Sequence, residues 1–206
     1  MFTFDENEFR ARTSLLHREP VVAARFSDDD LNAEARIIPH GVTPKQAAVL
    51  VPLIMGGAGL SVLLTERTAH LSSHGGQVAF PGGRIDEGDA GPVAAALRET
   101  EEETGITREF IEPVGFLDTY LTGSSYRVVP VVGLVQRGFS LVPHAGEVAD
   151  IFEVPLAFLM NPDHHLKHSR EWQGRERFYY AMPYGTRYIW GATAGMIRNL
   201  YKLVYA

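Results

Sequence analysis

The chain has 206 residues, enough for one domain with a sizeable core. Its 45% hydrophobic and 21% charged residues are ordinary for a soluble globular protein, and a net charge of -6 speaks against a nucleic-acid partner gripped by a broad basic surface. With no cysteine, disulfides, thiolate nucleophiles and Cys-ligated zinc are excluded.

The first twenty residues, "MFTFDENEFRARTSLLHREP", are polar and mixed in charge, so no secretory leader is read there and the expected location is cytoplasmic. Residues 1–45 read as an N-terminal helical extension. "DENEFRARTSLLHR" carries Phe9, Leu15 and Leu16 in a polar setting, and "SDDDLNAEARI" opens on Ser27, a helix N-cap type followed by acids. Residues 46–206 read as the main domain. The run "AAVLVPLIMGGAGLSVLL" approaches the length of a membrane span, but Pro52, Gly56, Gly57 and Gly59 break it into strand, turn and strand. No membrane contact is expected.

"GQVAF" is a short strand ending at Pro81, and "PGGRIDEGDAGP" is a loop. A helix is expected from Pro92, suited to a first turn, to about Thr104, with Gly105 as its stop. "IEPVGFLDTYL" and "YRVVPVVGLVQ" add strands, and "EVADIFEVPLAFLMNP" a strand and a helix start. "RFYYAMPYGTRYIWG" reads as a hairpin and "ATAGMIRNLYKLVYA" as an amphipathic helix. Strands and helices mix without regular alternation, which suggests an α/β fold: a mixed sheet covered by helices on both faces.

The helix over residues 93–104 carries the chemistry. At about 100° per residue, Val93, Ala96, Leu97, Thr100 and Thr104 share one side, and Glu99, Glu102 and Glu103 gather opposite. Carboxylates at i, i+3 and i+4 repel unless a cation sits among them. Magnesium takes one or two carboxylates together with waters and substrate phosphates. Arg98 is placed to pair with Glu102 at i+4 and hold one carboxylate. "FPGG" precedes the helix and offers backbone N–H groups free of side-chain bulk to phosphate oxygens.

Gly83 to Ile106 resembles the Nudix box, GX5EX7REUXEEXGU. Arg98, Glu99, Glu102, Glu103, Gly105 and Ile106 match its second half. The first half departs: Asp89 stands for the expected Glu, eight residues instead of seven separate it from Arg98, and Thr100 occupies a usually aliphatic or alanine position. That spacing is similar to the coenzyme A pyrophosphatase branch. "LLTERTAHLSSHGGQVAFPGGRIDEGDAGPVAAALRETEEE" shares with it Leu63, Leu64, Thr65, Arg67, Leu71, His74, Gly76, Val78, Phe80, Pro81, Gly82, Gly83, Asp86, Asp89, Leu97, Arg98 and Glu99. Ser72 and Gly75 stand where many of that branch carry basic residues.

The resemblance implies a Nudix fold, an α/β/α sandwich around a mixed sheet. It implies Mg2+ or Mn2+ held by Glu99 and Glu103, with Glu102 third, and a small-molecule substrate, coenzyme A or a derivative. The diphosphate would be cut to 4'-phosphopantetheine, or its acyl form, and adenosine 3',5'-bisphosphate. Glu103 and Glu147 are the candidate bases, and Arg98 completes the catalytic set. Arg67, His74, Gly82, Gly83 and Arg84 are the candidate substrate contacts. Arg67 would meet a phosphate or pair with a carboxylate; His74 would bond a phosphate or cap its loop. Other diphosphate substrates, ADP-ribose or a dinucleotide, remain open, as does a catalytically silent nucleotide-binding regulator. His164, His165 and His168 read as a surface loop, and Trp190 as core packing beside the site.

Overall fold

The computed structural model describes residues 2–32, 34, 37, 41–57, 59–71 and 74–206. Helix α1 (Glu6–Arg12) is capped by Asp5, whose carboxylate accepts the Glu8 N–H at 2.8 Å. The strands that follow are β1 (Phe26–Ser27), β2 (Lys45–Ile54), β3 (Ser61–Arg67), β4 (Val78–Ala79) and β5 (Gly82–Arg84). Next come α2 (Pro92–Thr104), β6 (Ile111–Phe116), β7 (Tyr120–Leu121), β8 (Tyr126–Val135) and β9 (Val148–Pro155). Helix α3 (Leu156–Leu159) precedes β10 (Leu166–Trp172), β11 (Arg175–Tyr184) and β12 (Arg187–Trp190), and α4 (Ala192–Val204) closes the chain.

Among the described residues, nine strands, β1 to β9, form one mixed sheet. β2 and β8 run parallel at its centre, in register from Lys45–Tyr126 to Ile54–Val135. Strand periodicity divides their side chains between two cores. Ala48, Leu50 and Ile54 of β2, with Val129, Val131 and Val135 of β8, meet Ala95 and Ala96 of α2. Val51 and Leu53, with Val128, Val132 and Leu134, face Met196, Ile197, Leu200 and Val204 of α4. Helices therefore cover both faces, the α/β architecture expected. Truncating a fully buried anchor such as Leu200 to alanine removes about 2–5 kcal/mol of stability.

The N-terminal segment joins this frame. Phe9 is fully buried in the α4-side core, and β1 pairs in parallel with β7. The helix expected after Ser27 does not begin there. Ser27 ends β1, its hydroxyl accepts the Asp29 N–H at 3.2 Å, and Asp28–Leu31 form turns. Part of "NAEARI" lies outside the described residues. No helix among the described residues is long and apolar enough to cross a membrane, and the run from Ala47 to Leu64 contains β2 and β3, with Ala58 between them outside the described residues.

The second sheet, β10-β11-β12, is a three-stranded antiparallel meander. β11 and β12 form the expected hairpin. β10 was not expected: its burial is slight on both faces, so its polar sequence has no two-residue alternation.

Candidate active site

β2 and β3 pair only at Leu53–Val62 and Ile54–Ser61. Beyond that they part, and the segment Val78–Arg84 fills the fork, β4 on β3 and β5 on β2. Gly82–Arg84, expected as loop, is thus a strand. Its two glycines explain how it fits. A Cβ on Gly82 would lie 2.5 Å from the Ala48 carbonyl oxygen, and one on Gly83 would lie 2.5 Å from Glu99 Oε1. The backbone wedges between β2 and α2 because it has no side chains there.

Helix α2 begins with Pro92 and stops at Gly105, which adopts φ 79° and donates to the Glu101 carbonyl at 2.9 Å. Its buried face is Ala95, Ala96, Thr100, Glu103 and Thr104. The expectation that Glu103 faces away from the core is corrected: it is 4% exposed. α2 rests on β2 and the bare glycine strand, which rotates its buried face toward the carboxylates. Gly82 N–H donates to Glu103 Oε2 at 3.2 Å, and Arg67 Nη1 stands 3.7 Å from Glu103 Oε1. Burial pushes the Glu103 carboxyl up to about 7; Gly82 and Arg67 oppose this, and the charges of Glu99 and Glu147 add to it. Glu99, half-buried over Gly83, is also raised, first by desolvation. Glu147 is exposed, yet its charge is felt at both residues.

Arg98 organises the outer side of the helix. Its guanidinium spans Asp89 through Nε–Oδ1 at 3.1 Å and Nη2–Oδ2 at 2.9 Å. It also donates to Glu99 Oε1 at 2.9 Å, Glu102 Oε2 at 3.2 Å and the Arg84 carbonyl at 3.1 Å. The i+4 pairing with Glu102 is present, but the planar two-point bond goes to Asp89. Asp89 is held below the usual carboxylate range by that bond. The longer spacing between Asp89 and Arg98 thus still brings the two together, because Asp89 N–H bonds the Asp86 carbonyl in a closed turn at 3.0 Å.

Glu99 and Glu103 point toward the glycine strand, while Glu102 turns outward to Arg98 and is largely exposed. Among the described residues, no three carboxylate or imidazole groups converge closely enough to bind an ion unaided. The donor set still fits a hard cation. Two inward carboxylates lie in partly dry surroundings with a third acidic charge nearby, and Mg2+ takes few protein ligands.

A cleft of ≈ 510 Å³ opens beside these groups, and Arg67, His74, Val78, Phe80 and Gly82 line it. His74 adopts φ 58°, and its Nδ1 lies 2.9 Å from Gln77 Oε1, so it braces its own loop while lining the cleft. Arg84 stays outside the lining; its carbonyl serves Arg98. Ser72 lies outside the described residues.

Two expectations are corrected. Trp190 is not core: Ile189 of β12 takes that place, fully buried, and Trp190 on the alternate face lines the cleft. The three histidines are not one surface loop. His165 is 8% exposed with its Nε2 2.7 Å from the Leu159 carbonyl, His164 stacks on Phe158, and His168 sits in β10 beside the Tyr188 hydroxyl. Arg170 and Trp172 also line the cleft and were missed, because only pairing with β11 reveals β10 as a strand.

Residues 44–179 match the NUDIX domain family. The chain is 43% identical over 162 residues to an uncharacterized Nudix hydrolase NudL of Photorhabdus laumondii, covering 78% of this chain and 85% of that one. It is 35% identical over 174 residues to Nudix hydrolase 15, mitochondrial, of Arabidopsis thaliana, covering 81% of this chain and 61% of that longer protein. Among solved structures it is similar to a C. elegans Ap4A hydrolase, at 23% identity and a TM-score of 0.47 over 54% of this chain and 80% of that one. With a glycine strand, a carboxylate helix and an arginine clamp in one place, and this family match over most of its length, the chain belongs to the Nudix hydrolase family.

Proposed function

We propose that the chain hydrolyses the diphosphate of coenzyme A or its derivatives with Mg2+ or Mn2+, releasing 4'-phosphopantetheine, or its acyl form, and adenosine 3',5'-bisphosphate. One observation carries this reading. Arg67, His74, Val78, Phe80 and Gly82, which the chain shares with the coenzyme A branch, line a single cleft beside Glu103. Their common position supports a shared substrate and not only a shared scaffold.

Glu99 and Glu103 are the proposed cation ligands, with Glu102 third. When bound, a divalent ion neutralises diphosphate charge and makes bound water more acidic. Gly82 and Gly83 leave room for phosphate oxygens against bare backbone. Arg67, 3.7 Å from Glu103, is placed to exchange that loose pairing for a phosphate oxygen. Glu147 is the proposed acceptor of the attacking water's proton, with Glu103 the alternative. Arg98 acts as a positioning residue, through the carboxylates it holds.

The test is to incubate the protein with Mg2+ and, separately, coenzyme A, acetyl-coenzyme A, ADP-ribose and diadenosine polyphosphates, and to identify products by mass. Adenosine 3',5'-bisphosphate appearing first from coenzyme A is the expected result. Preferred cleavage of ADP-ribose would contradict the substrate while leaving the helix as the catalytic element.

A further inference from the structure

The three-stranded sheet presents one face of unusual composition. Paired strand residues share a face, and alternate residues along a strand return to it. The pairs Arg170–Arg177, Trp172–Arg175, His168–Tyr179 and Ala181–Trp190 therefore put three arginines, both tryptophans and Tyr179 on one side. None of the strand residues on that face is an acid; Glu171 and Glu176 pair on the other. The carboxylates that reach it, Asp28 and Asp29, come from the N-terminal segment.

Arg177 is buried and ion-paired with Asp29 at 3.0 Å. Arg170 is different. Its guanidinium lies over Trp190 at 4.7 Å and Trp172 at 5.2 Å, and no carboxylate among the described residues pairs with it. A guanidinium stacked by its flat face keeps its N–H edge available for an anion. Trp172 is 45% exposed, a large apolar surface left facing the cleft. The same cleft reaches Arg67 and Gly82 at the diphosphate end, and an adjoining hollow of ≈ 240 Å³ shares Arg170 and Trp190.

We infer that Trp172, Trp190 and Arg170 form the seat for the nucleoside end of the substrate: the tryptophans stack the adenine, and Arg170 pairs with the phosphate on its ribose. The identity of the ligand rests on the coenzyme A reading. Aromatic faces bind a purine by stacking, and a planar guanidinium matches phosphate oxygens. A long nucleic acid is disfavoured by the net acidic charge and by a cleft sized for one nucleotide.

The chain's two tryptophans are Trp172 and Trp190, so tryptophan emission, excited where the eight tyrosines do not absorb, reports on this wall alone. Titration without metal, using adenosine 3',5'-bisphosphate and adenosine 5'-monophosphate as probes, is expected to quench it. The bisphosphate should bind about tenfold more tightly in the unmodified protein, as one charge-assisted phosphate contact warrants. Arg170→Gln should bring the two affinities to near equality, and Trp172→Ala should weaken both about tenfold. In turnover, Arg170→Gln should reduce the preference for coenzyme A over 3'-dephospho-coenzyme A mainly through KM. Three results would overturn the inference: Arg170→Gln keeping the bisphosphate preference, no fluorescence change in the unmodified protein at millimolar bisphosphate, or a single-stranded oligonucleotide displacing both probes. Bisphosphate binding that obeys these rules without coenzyme A hydrolysis would sink the substrate reading alone. Coenzyme A hydrolysis indifferent to Arg170 would sink this inference alone.

Discussion

Two regions of the molecule meet at the cleft with opposite chemistry. Helix α2 turns Glu99 and Glu103 toward the glycine strand, and the strand residues of the β10–β12 face bring arginines and aromatics together with no acid among them. The first is assembled locally: i, i+3 and i+4 spacing on one helix decides which carboxylates are neighbours. The second exists only through register, since residues from three strands share a face only once paired. The difference teaches what each region can control. On the proposed function, a helix that holds charge at the diphosphate would act on every substrate alike, whereas a wall at the far end would act on what is attached to the diphosphate.

The sharpest way to break this division is Glu103→Gln. The amide keeps the shape and can still accept the Gly82 N–H, so the fold should persist by thermal unfolding. Metal-dependent turnover should fall about 10³-fold for all substrates, the scale of a lost charged group at the reacting centre. Gly83→Ala comes next. Its Cβ would stand 2.5 Å from Glu99 Oε1 and drive that carboxylate aside. Turnover should drop about 10²-fold at fixed Mg2+ and recover partly as Mg2+ is raised, as expected when a ligand is misplaced. Arg98→Lys removes the two-point bond to Asp89 but keeps the charge, and steady-state kinetics should show a loss of about tenfold to 10²-fold.

The smallest effect belongs to Asp28, on the other side of the cleft. Its carboxylate accepts Gly123 N–H at 2.7 Å and the Tyr120 hydroxyl at 2.9 Å, and burial raises its pKa above the ordinary 3.8. The folded state therefore holds that proton more tightly than the unfolded chain. Stability from this group is complete below pH 3.8 and is lost as pH rises through the raised value. Asp28→Asn lacks that loss, so its melting temperature relative to the unmodified protein should improve as pH rises across that window. A constant difference would show that Asp28 does not titrate differently on folding.

Much of the acidic region was legible. Pro92 and Gly105 marked the bounds of the helix, because each signal is local. The orientation of Glu103 was misread: at 100° per residue it falls about 20° from Ala96, on the flank of the core face and not opposite it. The missing side chains of Gly82 and Gly83 then let that flank approach the sheet. The same glycines concealed β5, since a strand without side chains has no alternation to read. On the basic side, the β11–β12 hairpin was legible from its apolar run, but "LKHSREW" of β10 was not, being solvated on both faces. Trp190 was misplaced because its strand reads as apolar; the two-residue alternation sends Ile189, not Trp190, into the core.

The most direct test of the division is one kinetic series with Mg2+: the unmodified protein, Glu103→Gln and Arg170→Gln, each on coenzyme A and 3'-dephospho-coenzyme A. Glu103→Gln should lower kcat/KM by the same large factor on both substrates, and Arg170→Gln should lower it further on coenzyme A than on the dephosphorylated form. Unmodified turnover in Glu103→Gln with unchanged Mg2+ dependence, or one shared profile for the two variants, would contradict the account.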